Sequence, residues 1–410
     1  METLKFVIVG HVDHGKSTLI GRLLYDTNSL PSDKIEEIKK VSQQLGRETE
    51  FAYLLDHLEE ERLQGITIDT TQVFFKTEKR QYVIIDAPGH VEFVRNMVTG
   101  ASQADAAVLI IDVHEGVKEQ SRRHAYIVSL LGLKQVIVAL NKMDLVNFSR
   151  ERFNEVKEEM GKFLDSINIE AIFYIPISAM KGDNIVNNSD NMDWYKGPTF
   201  LESLNILKNR GSDKDKPLIF PVQDVYKIDS KRIIVGRIEA GIIEKGCLIK
   251  ILPGSQITRV HSIERFPEKI DRAYAGQSIG ITAEDAAFIT RGDVICLPDR
   301  EPVLTDKFRA NIFWMAKKDF TKGERITIRC ATQETTCVME TIKKRINSST
   351  LEIIPGDGNA LKNLEAGEVI VKTKKPIVLK SFNDVRELGR FVLVQDENIS
   401  AGGIVTDFKI

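Results

Sequence analysis

The stretch Gly10-His11-Val12-Asp13-His14-Gly15-Lys16-Ser17 follows the apolar run Phe6–Val9 and precedes an amphipathic segment, Ser17–Tyr25. A GxxxxGK[ST] spacing at a strand-to-helix junction predicts a loop whose backbone N–H groups curl around phosphate. The opening of the next helix adds partial positive charge to the same place. In that frame Lys16 neutralises β- and γ-phosphate oxygens, the Ser17 hydroxyl reaches Mg²⁺, and Gly10 to Thr18 form one phosphate-binding unit. A chance glycine turn is the competing reading, and the strand–helix setting disfavours it.

Working outward, further apolar runs rich in β-branched residues recur at Tyr82–Ile85, Ala107–Ile111, Val136–Leu140 and Ile172–Ile175, separated by longer amphipathic stretches. Alternation of this kind predicts a doubly wound α/β sheet with crossover helices. Ala107–Ile111 is apolar at every position, as a strand covered on both faces requires. The charged segment between Tyr25 and Gly65 reads as largely helical and solvent-facing.

The stretch from Asn209 to Lys216 is polar and ends at Pro217, marking a boundary. Beyond it, glycine-punctuated short strands without long helices predict two β-barrel or sandwich domains. The expected division is 1–210 for nucleotide binding, then 217–299 and 302–410 for the β domains.

The chain has 410 residues, too many for one core, and a hydrophobic share of 42% with 28% charged residues is ordinary for a soluble globular protein. No apolar run is long enough for a bilayer, and the first residues lack the features of a secretory leader, so a cytoplasmic location is expected. The four cysteines show no CxxC pair, which points to buried thiols rather than zinc or disulfides. A net charge of −2 argues against a protein that grips nucleic acid through phosphates alone.

Three further motifs fall at the ends of predicted strands. Asp86-Ala87-Pro88-Gly89-His90 follows Tyr82–Ile85, so Asp86 can hold Mg²⁺, Gly89 can offer its N–H to the γ-phosphate, and His90 can orient the attacking water. Taken alone, His90 could equally cap the next helix. Asn141-Lys142-Met143-Asp144 follows Val136–Leu140. The Asp144 carboxylate can accept two hydrogen bonds from guanine, where adenine offers no such pair, and an unpaired buried carboxylate costs several kcal/mol. Asn141 can tie this loop to the phosphate loop and the Lys142 stem can cover the base. Ser178-Ala179-Met180, after Ile172–Ile175, completes the pocket, with the Ala179 N–H expected to face the guanine carbonyl. Gly65-Ile66-Thr67 supplies a hydroxyl, Thr67, as a second Mg²⁺ ligand reached when γ-phosphate draws the loop inward. NKxD alone can be a solvated turn and Thr67 an ordinary strand-entry threonine; the order of the motifs favours a GTP-binding site.

Gly10–Ser17, Gly65–Asp69, Asp86–His90 and Asn141–Asp144 resemble the translational GTPases, elongation factor Tu and its relatives. Gly236-Arg237-Ile238-Glu239-Ala240-Gly241 in the β region fits the same superfamily. Within it, Glu61–Asp69, Thr77–Arg80, Gln120–His124, Asn141–Val146 and Phe313-Trp314-Met315 are similar to the GTPase subunit of sulfate adenylyltransferase. That resemblance implies a subunit coupling GTP hydrolysis to synthesis of adenosine 5′-phosphosulfate from ATP and sulfate, with adenylyl transfer on a separate small catalytic subunit as partner. It implies His90, Lys16 and Thr67 as catalytic residues, no nucleic-acid partner and no membrane. Ala87, Gln103–Ala107 and Gly389-Arg390-Phe391 look more like elongation factors that deliver aminoacyl-tRNA to the ribosome, which is the alternative.

Overall fold

A computed structural model describes residues 3–30, 71–87, 104–209, 213–228, 231–265, 268–284, 288–356 and 358–409. The chain separates into two compact units, Met1–Arg210 with Ser348–Leu351, and Gly211–Asn347 with Glu352–Ile410.

The first unit is built on a six-stranded sheet. Its strands are β1 (Thr3–Gly10), β2 (Thr71–Lys76), β3 (Gln81–Asp86), β4 (Ala106–Asp112), β5 (Val136–Asn141) and β6 (Ala171–Pro176), ordered β2-β3-β1-β4-β5-β6. All neighbours are parallel except β2, which pairs antiparallel with β3. Every residue of β4 and β5 is buried, which is why these strands read as continuous apolar runs. Edge strand β2 is different: it alternates, and Phe74 is 69% exposed.

Helix α1 (Lys16–Asp26) sets Leu19, Ile20, Leu23 and Leu24 into the core at helical spacing. There they meet Phe6, Ile8, Ile84 and Val108 from the sheet. Each fully buried side chain of this size contributes roughly 1.5–3 kcal/mol relative to exposure. Helix α2 (Glu119–Leu130) contacts β4 and β1, and α3 (Arg150–Ser166) contacts β6 and β5.

In the second unit, one sheet runs Leu248–Leu252, Val294–Cys296, Ile219–Ile228, Lys231–Arg237, Ser278–Ala283, Gln256–Arg265, Glu268–Ile270. Leu248–Leu252 pairs again with Gln256–Arg265, so the sheet curls back on itself around Phe220, Ile234, Ile251 and Ile281. A closed barrel follows in the order Val303–Trp314, Glu365–Leu379, Gln333–Asn347, Arg325–Cys330, Arg390–Gln395, Asn398–Asp407. Ile219, Leu252 and Cys296 from the first β body pack with Val378, Val385 and Leu388 from the second.

The thiols of Cys296, Cys330 and Cys337 are buried and Cys247 is half-buried, all unpaired. Burial pushes Cys330 and Cys337 up to about 12. No helix among the described residues is long and apolar enough to cross a membrane.

Candidate nucleotide-binding site

Parallel strands deliver their carboxyl ends to one edge of the sheet, and one glycine and three polar residues collect there: Gly10 closing β1, Asp86 closing β3, Asp112 closing β4 and Asn141 closing β5. The register sets Asp86 beside Ile8, Gly10 beside Ile110 and Asp112 beside Asn141. An open α/β sheet binds ligands in the crevice outside such an edge.

Two glycines allow the loop between β1 and α1. At Gly10 a Cβ would stand 2.5 Å from the Ile110 carbonyl oxygen and 2.6 Å from its Cγ2. Gly15, the residue before α1, has φ +91°, and a Cβ there would strike Asn141 Nδ2. Asp13 takes the left-handed region as well, at φ 63°. No side chain caps α1 and no acid occupies its first turn, so its leading N–H groups and dipole present positive character to the edge. Half-buried Val12, Ser17 and Thr18 and half-buried His11 line this region.

Lys16 folds back over the loop, its Nζ donating to Gly10 O at 3.3 Å and His11 O at 3.4 Å. Burial pulls its ammonium below the usual lysine range, opposed by the charges of Asp86 and Asp13. Asp86 is 1% exposed.

Two buried histidines stand at or close to the loop. His14 is fully buried and burial depresses it to about 4, so the ring is neutral near pH 7. Its Nδ1–H donates to Ile110 O at 3.3 Å. With a neutral ring, the 3.9 Å approach of Glu115 to Nε2 is a contact and not an ion pair. His124 on α2 is also fully buried and falls to about 3 through desolvation, with the nearby charge of Lys16 adding to the effect.

Asn141 joins three loops. Its Nδ2 donates to His14 O at 2.9 Å, and its Oδ1 accepts from the Ala179 N–H at 2.9 Å. The Ala179 N–H, expected to face a base, is therefore spent on Asn141. Asp144 sits half-buried in a short 3₁₀ turn, its Oδ1 accepting from Ser178 Oγ at 2.6 Å. Ser178 Oγ accepts in turn from the Lys181 N–H at 3.2 Å.

Lys142, at φ 64°, sends its amine 2.8 Å from Asp112. Burial pushes the Asp112 carboxyl up, but the Lys142 hydrogen bond and charge, with the N–H groups of Glu115 and His114, leave it below the usual carboxylate range. Asp112 was not singled out in the sequence, although an acid ending an apolar run, as Asp86 does, is the signal that would have found it. Met180 is half-buried beside Ala179. The structure thus brings Gly10 to Thr18, Asp86, Asn141, Lys142, Asp144 and Ser178 to Met180 to one sheet edge. Thr67, Gly89 and His90 lie outside the described residues.

Comparison with known proteins bears on this site and on the β region. The family "Elongation factor Tu GTP binding domain" matches residues 1–212, "Elongation factor Tu domain 2" matches 231–296, and "GTP-eEF1A C-terminal domain-like" matches 307–406. The chain belongs to the elongation factor Tu and 1-alpha family of GTPases. Proteins named elongation factor 1-alpha align nearly end to end. That of Methanopyrus kandleri is 40% identical, covering 96% of this chain and 94% of its own. Those of Archaeoglobus fulgidus (39% identical) and Thermoplasma acidophilum (40%) each cover 99% of this chain and 98% of their own. A solved structure of sup35 complexed with GDP covers 99% of this chain and 94% of its own at 25% identity, with a TM-score of 0.46.

These relatives overturn the assignment to the sulfate adenylyltransferase branch, and with it the small catalytic subunit as partner. The reason is visible in the residues that carried it. Asn141 joins loops at the nucleotide edge, Ser121, Arg123 and His124 are buried in α2, and Phe313 and Trp314 are fully buried in the barrel. Such residues report on a shared fold and site, and not on the task a member performs.

Proposed function

We propose that this chain binds GTP with Mg²⁺, hydrolyses GTP and, as a cytoplasmic elongation factor, delivers aminoacyl-tRNA to the ribosome. The observation that carries the reading is the likeness to proteins named elongation factor 1-alpha over 94% to 98% of their own length, spanning the nucleotide domain and both β bodies. The earlier objection from net charge fails because a chain-wide sum conceals local clusters. Lys372, Lys374 and Lys375 stand exposed along one barrel strand, where they can meet a phosphate backbone.

At the site, the Lys16 ammonium and the first-turn N–H groups of α1 bind the β- and γ-phosphates. The Asp144 carboxylate, oriented by Ser178, accepts from the ring N–H and exocyclic amine of guanine, and Asn141 keeps this loop in register with the phosphate loop. The donor set at the metal position fits Mg²⁺: a hydroxyl at Ser17 and a buried carboxylate at Asp86, both hard oxygen donors. Thr67 completes the protein ligands in this reading. Mg²⁺, when bound, supplies charge neutralisation of the phosphate oxygens. Gly89 offers its N–H to the γ-phosphate, and His90 orients the water for in-line attack.

The test is aminoacyl-tRNA binding followed by protection of the aminoacyl ester from hydrolysis. Protection with a non-hydrolysable GTP analogue, weakening with GDP and falling steeply with salt, is expected. Equal or absent protection in both nucleotide states would sink the delivery role while leaving GTP binding intact.

A further inference from the structure

We propose that Arg22 is a positioning residue for guanine recognition, clamping the turn after Ser178 onto helix α1. The proposal rests on the reading of Asp144 and Ser178 as the guanine-binding loop. Arg22 lies six residues beyond Lys16 on the same helix, and its Nε donates to both carboxylate oxygens of Asp26, at 2.9 and 2.8 Å. The spacing is i,i+4 and both side chains are partly sheltered, 21% and 15% exposed. Held by that pair, the guanidinium reaches across to the base loop. Its Nη1 donates to the Met180 carbonyl at 3.3 Å.

Gly182 provides an independent sign of the same clamp. It has φ +87°, and a Cβ built there would collide with Nη2 and Cζ of Arg22 and stand 2.9 Å from Nε. Glycine tolerates this φ and leaves room for the flat guanidinium to lie against the backbone of the turn. The turn itself is closed, by Gly182 N donating to Ser178 O at 2.8 Å and by the bridge between Ser178 and Asp183. It therefore moves as one piece, and the Ser178 hydroxyl that orients Asp144 moves with it.

The physical logic is that of a planar, always-charged fork fixed by one carboxylate and aimed at a carbonyl. α1 carries the phosphate-binding residues at its start, so anchoring the base loop to α1 makes the distance between the phosphate and base ends of the nucleotide a property of the protein. That lowers the ordering cost paid on binding.

The experiment uses the full chain, a fluorescent GDP to follow release, and inosine diphosphate, which lacks the exocyclic amine Asp144 would accept. Arg22→Ala should speed GDP release by about tenfold, the equivalent of one charge-assisted hydrogen bond. The GDP-over-IDP preference should shrink in the same variant, because the two changes remove one shared interaction. The ratio of GTP to GDP affinity, a property of the phosphate end, should stay as in the parent. Arg22→Lys keeps the pairing charge but lacks the planar group, so it should show the same pattern and serves if Arg22→Ala does not fold. Unchanged release and an unchanged GDP-over-IDP preference would overturn the clamp. Asp144→Asn tests the underlying reading separately: if that variant keeps its guanine preference, the base-site assignment itself is wrong, whatever Arg22 does.

Discussion

Replacing Asn141 by alanine removes both hydrogen bonds of a side chain that is 2% exposed. His14 O loses its donor and the Ala179 N–H loses its acceptor, in residues that are themselves 0% and 1% exposed. Leaving a buried polar group unsatisfied costs about 1–3 kcal/mol, so the two together cost roughly 2–6 kcal/mol before any water enters the space. At about 3 kcal/mol, a unit of this size loses roughly 6–12 °C in its midpoint. The phosphate loop and the Ser178 turn would no longer be held in one geometry, and re-ordering them on binding should weaken GDP by at least about tenfold, or 1.4 kcal/mol. Asn141→Asp sharpens the test. It keeps an acceptor for Ala179 but turns a second oxygen toward His14 O, so the loss should fall mainly on the phosphate-loop side. The assay is thermal unfolding of the nucleotide-free chain, following its first transition, together with equilibrium titration with GDP. A midpoint and an affinity both indistinguishable from the parent would refute the view that these two bonds carry the coupling.

Three other outcomes are expected. Asp144→Asn should weaken GTP and shift preference toward xanthosine triphosphate, because an amide donates where the altered base accepts; a competition titration showing intact guanine selectivity would contradict this. His90→Ala should keep GTP affinity while slowing single-turnover hydrolysis, since it removes an interaction formed in the transition state; normal turnover with lost affinity would point the other way. Stability should fall on acidification. His14 and His124, depressed from 6.5 to about 4 and about 3, are neutral when folded, so the unfolded chain takes up more protons below pH 6.5. The stability they contribute is fully present above that pH and is lost as pH falls below 6.5, down to about 4 for His14 and about 3 for His124. His124→Leu should flatten the dependence of the melting midpoint between pH 7 and 5, and a curve as steep as the parent's would argue against it.

Much of the first unit was legible because its central strands are buried on both faces. Phe6–Val9, Tyr82–Ile85, Ala107–Ile111, Val136–Leu140 and Ile172–Ile175 all fall within observed strands, β1 and β3 to β6. The edge strand β2 was not delimited, since with one face in solvent it lacks a continuous apolar run and puts Phe74 outside. The partners within the site were harder to read than its members. Asp112 meets Lys142 only because parallel register aligns Asp112 with Asn141, and Arg22 meets Gly182 across 160 residues of chain. No local pattern encodes such pairings. The branch within the family was illegible for another reason. Among the residues quoted for it, Asn141 is tied to the nucleotide edge and Ser121, Arg123, His124, Phe313 and Trp314 to buried cores, where fold and ligand constrain them whatever the partner.

The carboxyl-terminal barrel closes when Val303–Trp314 pairs with Asn398–Asp407, so none of its six strands offers an open ladder to a neighbouring molecule. Among the described residues the nucleotide-binding sheet has no such seal and ends at β2 and β6; the border with the more exposed apolar side chain is β2, where Phe74 is 69% exposed against 39% for Ile172 on β6. Self-association in a stressed preparation should therefore begin at that border, and a charged residue in place of Phe74 is the simplest way to protect material kept without nucleotide.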